Sequence, residues 1–147
     1  MKKFIFSLEK VLNYKSQVEE SLRNEHAAAL RDIRIKEEEI EDLEHKRDSY
    51  MDEYNESKSN ICNPQSLSIY GMYFARIESR IQEELLKLEV LKDVEAQCRE
   101  KVLEAKKERA SLEMLKEKKI QEYRHAEQKE AELLIEEFVA NKAAANR

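Results

Sequence analysis

The chain has 147 residues, with 27 lysines and arginines against 32 aspartates and glutamates, a net charge of −5 and 40% charged residues overall. One glycine, one proline and no tryptophan are too little turn chemistry for a compact globule and match the profile of long helices or coiled coil. The apolar share of 41% is too high and too periodic for a disordered chain, and the mixed charge signs do not build the basic face that nucleic acid requires.

The opening MKKFIFSLEK has an apolar stretch too short for the core of a signal peptide. No run of about 18 apolar residues follows anywhere, so no transmembrane span is expected, and the protein is expected in the cytosol. Ser7 is a favoured residue type for a helix cap, which puts Glu9 in the first turn, where a negative charge suits the helix dipole. Lys10 occupies the position where a capping box would carry Glu or Gln. Phe4 and Phe6 precede this start. Two aromatic rings left in water cost about 25 cal/mol per Å² of apolar surface, so either they fold back on the C-terminal helix or they fit a partner.

A first helix is predicted over about 7–60. Steps alternating between three and four give the seam Leu8, Val11, Lys15, Val18, Leu22. One extra four-residue step then leads to His26, Ala29, Ile33, Lys36, Ile40, Leu43, Arg47, Tyr50, Tyr54, Ser57 and Ile61. All but Lys15, His26, Lys36, Arg47 and Ser57 are apolar, which is the a/d pattern of a coiled coil. The extra step at His26 reads as a stutter that locally unwinds the supercoil.

Pro64 is the only proline. Its ring cannot sit in a helix interior undisturbed but suits the first position of a new helix, and Asn63 before it is a favoured cap. A reversal is therefore predicted at about 61–63 and a second helix over about 64–141. Its seam begins Leu67, Tyr70, Phe74, Ile77, Ile81 and continues to Leu133, with Glu84, Glu95, Arg109, Lys116, Lys119 and Glu130 as the polar exceptions. Cys62 and Cys98 would lie roughly 50 Å apart along this helix, far beyond disulfide reach.

The fold class expected is all-α: a single domain over 1–147, with two long helices in an antiparallel coiled-coil hairpin, the C-terminal helix longer and projecting. Helix one spans about 80 Å and helix two about 115 Å, and the short connection allows only an antiparallel arrangement. Tyr54 should face the Tyr70 region, Leu43 the Ile81 region and Leu12 the Leu112 region. Helix one then runs out near residue 117. Glu117 to Asn141, with Ile120, Tyr123, Leu133, Leu134, Ile135, Phe138 and Val139, would be left without an intrachain partner. Exposed apolar surface of that kind marks an interaction site, and self-association of the segment is the other use for it.

Catalytic constellations are not expected. His26, His45 and His125 are far apart, Glu41 with His45 is at most half a metal site, and a single glycine forbids a Gly-rich phosphate loop. No enzyme activity, cofactor or metal is predicted. Basic residues outnumber acidic ones between Lys101 and Lys129, a balance that would steer an acidic protein partner but is too diluted by glutamate for nucleic acid.

The opening Phe4-Ile5-Phe6-Ser7-Leu8-Glu9-Lys10-Val11-Leu12 resembles the F-x-F-x-L-x-x-V-L start of the flagellar export protein FliJ family. The chain length matches too. So does the Asn63-Pro64-Gln65-Ser66-Leu67 helix start, followed by Tyr70, Tyr73, Phe74 and Ile77. The resemblance covers essentially the whole chain. It implies a soluble, stalk-like component of the flagellar type III export apparatus, peripheral at the inner face of the cell membrane and not inserted in it. Its partners would be the hexameric flagellar export ATPase, the cytoplasmic domain of the export gate membrane protein, and export chaperones. The resemblance assigns ATPase binding to Phe4, Phe6, Leu8, Val11, Leu12, Tyr123, Leu134 and Phe138. It assigns gate and chaperone binding to a tip of Tyr50, Tyr54, Tyr73 and Ile77. The competing expectations are a coiled-coil scaffold dimerising through its C-terminal helix, and the equivalent stalk of a virulence-type secretion system.

Overall fold

The structure, a computed structural model, describes residues 2–58 and 64–146. The reversal expected at 61–63, with Cys62 and the Asn63 cap, lies outside the described residues, as does the seam position Ile61. Helix α1 spans Glu9–Lys58 and α2 spans Pro64–Ala145. Among the described residues there is no strand, and the helices pack side by side in opposite directions as an all-α two-helix hairpin.

Both helix starts follow from local chemistry. Pro64 opens α2, where its missing N–H costs no hydrogen bond. At α1 the first helical bond runs from the Leu12 N–H to the Leu8 carbonyl at 2.9 Å, and the Glu9 N–H bonds the Phe6 carbonyl at 3.2 Å. Leu8, not Ser7, therefore holds the cap position, and Ser7 lies in the turn before it. Glu9 sits in the first turn as expected. Gly71 lies inside α2 with open space around it, so the lone glycine breaks nothing. The C-terminal end continues past Asn141 to Ala145, carried by the alanines of the tail, which have the highest helix propensity.

The chain divides into two compact units: residues 22–102, and the residues up to Ser21 together with those from Leu103. In the first, the buried apolar residues are Ala29 and Ile40 of α1 with Ile77, Ile81 and Leu88 of α2. Ile81 is the most enclosed, at 2% exposure. The polar residues at seam positions are paired across the helices. Lys36 Nζ donates to Glu84 at 2.7 Å, Arg47 Nη1 donates to Glu78 at 3.1 Å, and His26 Nε2 lies 2.8 Å from Glu95. Tyr54 packs on Tyr70 at 5.5 Å between ring centres, in the predicted register.

In the second unit Phe6, Leu12 and Ala105 are buried. Lys15 donates to Glu108 at 2.8 Å, Lys116 pairs with Glu9 at 2.8 Å, and Arg109 donates to Glu19. Here the structure corrects the predicted seam. Leu12 is buried at 7% while Val11 is 41% exposed, and Glu19 is buried at 4%. From Leu8 the inward positions are Leu12, Lys15, Glu19, Leu22 and His26, an unbroken alternation of fours and threes, so α1 has no stutter. The seam of α2 is as predicted from Leu67 to Lys116, but its next inward residue is Ile120, with Lys119 exposed.

Two measurements follow. Truncating Ile81 to alanine leaves a partly wet void between two helices, which places the loss toward the lower end of about 2–5 kcal/mol. Thermal unfolding by circular dichroism is expected to show Ile81→Ala melting well below the parent and Glu38→Ala, on an exposed face, unchanged; equal shifts would contradict the seam.

The second concerns acid. The Lys36 ammonium, and after it Lys87, holds the Glu84 carboxyl below the usual carboxylate range, and the hydrogen bond with His26 does the same for Glu95, aided by Arg99. A carboxyl with a depressed folded-state pKa adds stability above its unfolded value of about 4.3 and loses it as pH falls through the folded value. The melting temperature is expected to drop as the pH is lowered below about 4.5. Glu84→Gln is expected to melt lower at neutral pH and to give a shallower acid limb. An acid limb as steep as the parent's would show that Glu84 is not one of the groups responsible.

Candidate docking surfaces

Two clusters of chemistry-bearing side chains stand out, one in each unit. In the unit of residues 22–102, the helix ends nearest Lys58 and Pro64 carry an aromatic cluster. Heptad spacing aims Tyr50 and Tyr54 of α1 at Tyr70 and Phe74 of α2. Tyr50 packs against Tyr73, Tyr70 and Phe74 at 3.8, 5.1 and 5.8 Å between centres, and Tyr54 against Phe74 at 5.9 Å. The edge-on contacts of Tyr50 and Tyr54 with Phe74 are of the kind favoured for aromatic pairs. All four tyrosines keep part of their surface in water, whereas Ile77, one turn further along α2, is buried in the seam. Ile69 and Met72 are exposed beside the cluster. They lie off the seam, so a reading that followed only inward positions passed over them.

In the other unit, the residues before α1 fold back on α2. Phe6 is buried, the Phe4 ring lies 5.5 Å from that of Tyr123, and the Tyr123 hydroxyl donates to the Lys2 carbonyl. Of the two uses foreseen for Phe4 and Phe6, the structure has the fold-back. Leu8 is half-buried, Leu12 buried and Val11 exposed. This N-terminal extension covers α2 as far as Tyr123, so the uncovered part begins at Arg124, not at Glu117. From there to Asn146 every residue is exposed. At about 100° per residue, Ala131, Leu134, Ile135, Phe138 and Val139 share one broad arc of the helix. Phe138 is 68% exposed and Leu134 61%.

Among the described residues no three His, Cys, Asp or Glu side chains gather to hold a metal ion, and no helix is long and apolar enough to cross a membrane. Glu41 and His45 stand 3.7 Å apart as an exposed surface pair. Cys98 is a free, half-buried thiol.

Paired antiparallel helices with an aromatic cluster in one unit and an exposed apolar arc in the other define an all-α protein of the coiled-coil kind. The family profile described as Flagellar FliJ protein matches residues 4–147, and the chain belongs to that family. It is thus a component of the flagellar export apparatus and works through interactions within it. No curated protein matches the chain, and no solved structure does either.

Proposed function

We propose that this FliJ-family chain inserts its terminal segments into the hexameric export ATPase and stimulates it, while its aromatic tip links the ATPase to the export gate and escorts export chaperones. The observation that carries the reading is the run from Arg124 to Asn146, exposed throughout and apolar along one arc. An isolated helix is marginal in water, so such a segment is best explained by a partner that covers it. Leu134 and Phe138 would make the contact, and Phe4 with Tyr123 would brace the base of the segment. Phe6 and Leu12, being buried, would act by holding that base, and Leu8 and Val11 would flank it. At the tip, Tyr50, Tyr54 and Tyr73 would offer their exposed edges, with Ile77 fixing their backing.

The ATPase supplies the chemistry in this account. A bound helix shifts the populations of subunit states only as far as it binds one state better than another. Work at the gate would place the protein at the inner face of the membrane. The flagellar family match favours this apparatus over a virulence-type one. Self-association through the same arc is separable by sedimentation, since a stable dimer would occupy the surface meant for the ATPase.

Deletion of residues 131–147 removes the apolar arc and, among the described residues, only exposed ones. The truncated protein is expected to keep its helical signal and melting temperature yet to lose stimulation of ATP hydrolysis by the hexamer. Full stimulation by the truncated protein would refute the reading.

A further inference from the structure

Tyr73 divides two shallow grooves on one flank of the unit formed by residues 22–102. The first, of ≈260 Å³, is lined by Tyr50, Ile69, Met72, Tyr73 and Arg76. The second, of ≈170 Å³, is lined by Leu43, Lys46, Tyr73, Arg76, Ile77 and Arg80. Lys46, Arg76 and Arg80 are all exposed. Among the described residues no carboxylate pairs with any of the three, although cations close by are committed: Arg47 to Glu78 and Asp48, Lys36 to Glu84 and Glu39. No carboxylate lines either groove, and Lys46 also borders a neighbouring groove beyond Tyr50 that brings in Glu53 and His45. The flank therefore combines an apolar notch with three cations that have no carboxylate partner among the described residues.

We propose that this flank binds an acidic peptide segment carrying one bulky apolar side chain. The apolar side chain seats between Ile69, Met72 and the two tyrosines, and the carboxylates meet Lys46, Arg76 and Arg80. Arginine suits this role because its planar fork takes a carboxylate through two hydrogen bonds. Arg76 and Arg80 stand four residues apart on α2, so they present their cations from successive turns of one face, about 6 Å apart at their base. Met72 is unbranched and adapts its shape to an incoming group, while the tyrosines supply rigid walls. A concave notch between charges selects a segment with one projecting side chain, whereas an anionic bilayer would ask for a broad convex face. The proposal names the chemistry of a partner for the tip and rests on the reading of the tip as a docking point.

The test uses the full chain and a short labelled peptide of glutamates around one phenylalanine, followed by fluorescence anisotropy. Its controls are the glutamine analogue and the phenylalanine-to-alanine analogue. The acidic peptide is expected to bind at least about tenfold tighter than either control and to weaken as salt is raised, as interactions between charge patches do. The triple variant Lys46→Glu, Arg76→Glu, Arg80→Glu is expected to lose binding by a similar factor. The milder Lys46→Gln, Arg76→Gln, Arg80→Gln set checks the result should the reversal disturb the fold. Equal binding of the glutamine analogue, or unchanged binding by both triple variants, would overturn the proposal. So would retention on phosphatidylglycerol vesicles with no binding of the peptide. Capture of the export gate's cytoplasmic domain by the unmutated chain, run alongside, tests the tip reading itself. Capture without peptide binding removes the acidic-peptide proposal and leaves the tip reading standing, and no capture removes the tip reading.

Discussion

Lys36 and Glu84 face one another inside a seam that is otherwise largely isoleucine, leucine and alanine, joined by a 2.7 Å hydrogen bond. Apolar heptads alone tolerate sliding, because one aliphatic layer looks much like the next. Moving α1 by one heptad along α2 would put Lys36 beside Ile77 or Leu91, and Glu84 beside Ala29 or Leu43. Each charge would then be left against hydrocarbon, which is strongly unfavourable. A single polar seam pair of this kind is the best-attested device for fixing register in coiled coils. His26 with Glu95 repeats the device in the same unit, and Arg109 with Glu19 does so in the other. The exceptions to the hydrophobic pattern thus make the pairing of α1 with α2 specific.

Much of this was legible in the sequence, and the misreadings have physical causes. The seam of α2 could be followed from Leu67 to Lys116 because its apolar residues repeat without ambiguity. The phase at the start of α1 could not, because Val11 and Val18 are more apolar than the correct alternatives are distinctive. Choosing them forced a stutter at His26 that the helix does not contain. Leu12 and Glu19 are the true inward residues. Glu19 could not be recognised from periodicity, since its burial depends on Arg109 arriving from a helix ninety residues away. Past Lys116 the heptad count points to Lys119, but the inward residue is its apolar neighbour Ile120.

The docking surfaces divide along a similar line. Tyr50 and Tyr54 of the tip are legible as seam residues, whereas Tyr73 lies off the seam and is pointed to by the family resemblance alone. Met72, Ile69 and the cations beside them lie off the seam and emerge only once the two helices are laid together. At the other unit, spacing left open whether Phe4 and Phe6 belong to the chain or to a partner. The answer lies in Tyr123, whose ring meets Phe4 and whose hydroxyl meets the Lys2 carbonyl. That contact covers α2 to Tyr123 and leaves the apolar arc beyond it uncovered. Where α2 is covered and where it is exposed is thus set by the residues that precede α1.

The claim that charged seam pairs set the register is tested most directly by exchanging one of them. Thermal melts of Lys36→Glu, of Glu84→Lys and of the two together should show each single change lowering the midpoint, because each sets like charges face to face in the seam. The double change restores opposite charges at the same place and is predicted to recover most of the loss. A double variant that melts as low as the two single losses combined would contradict the account.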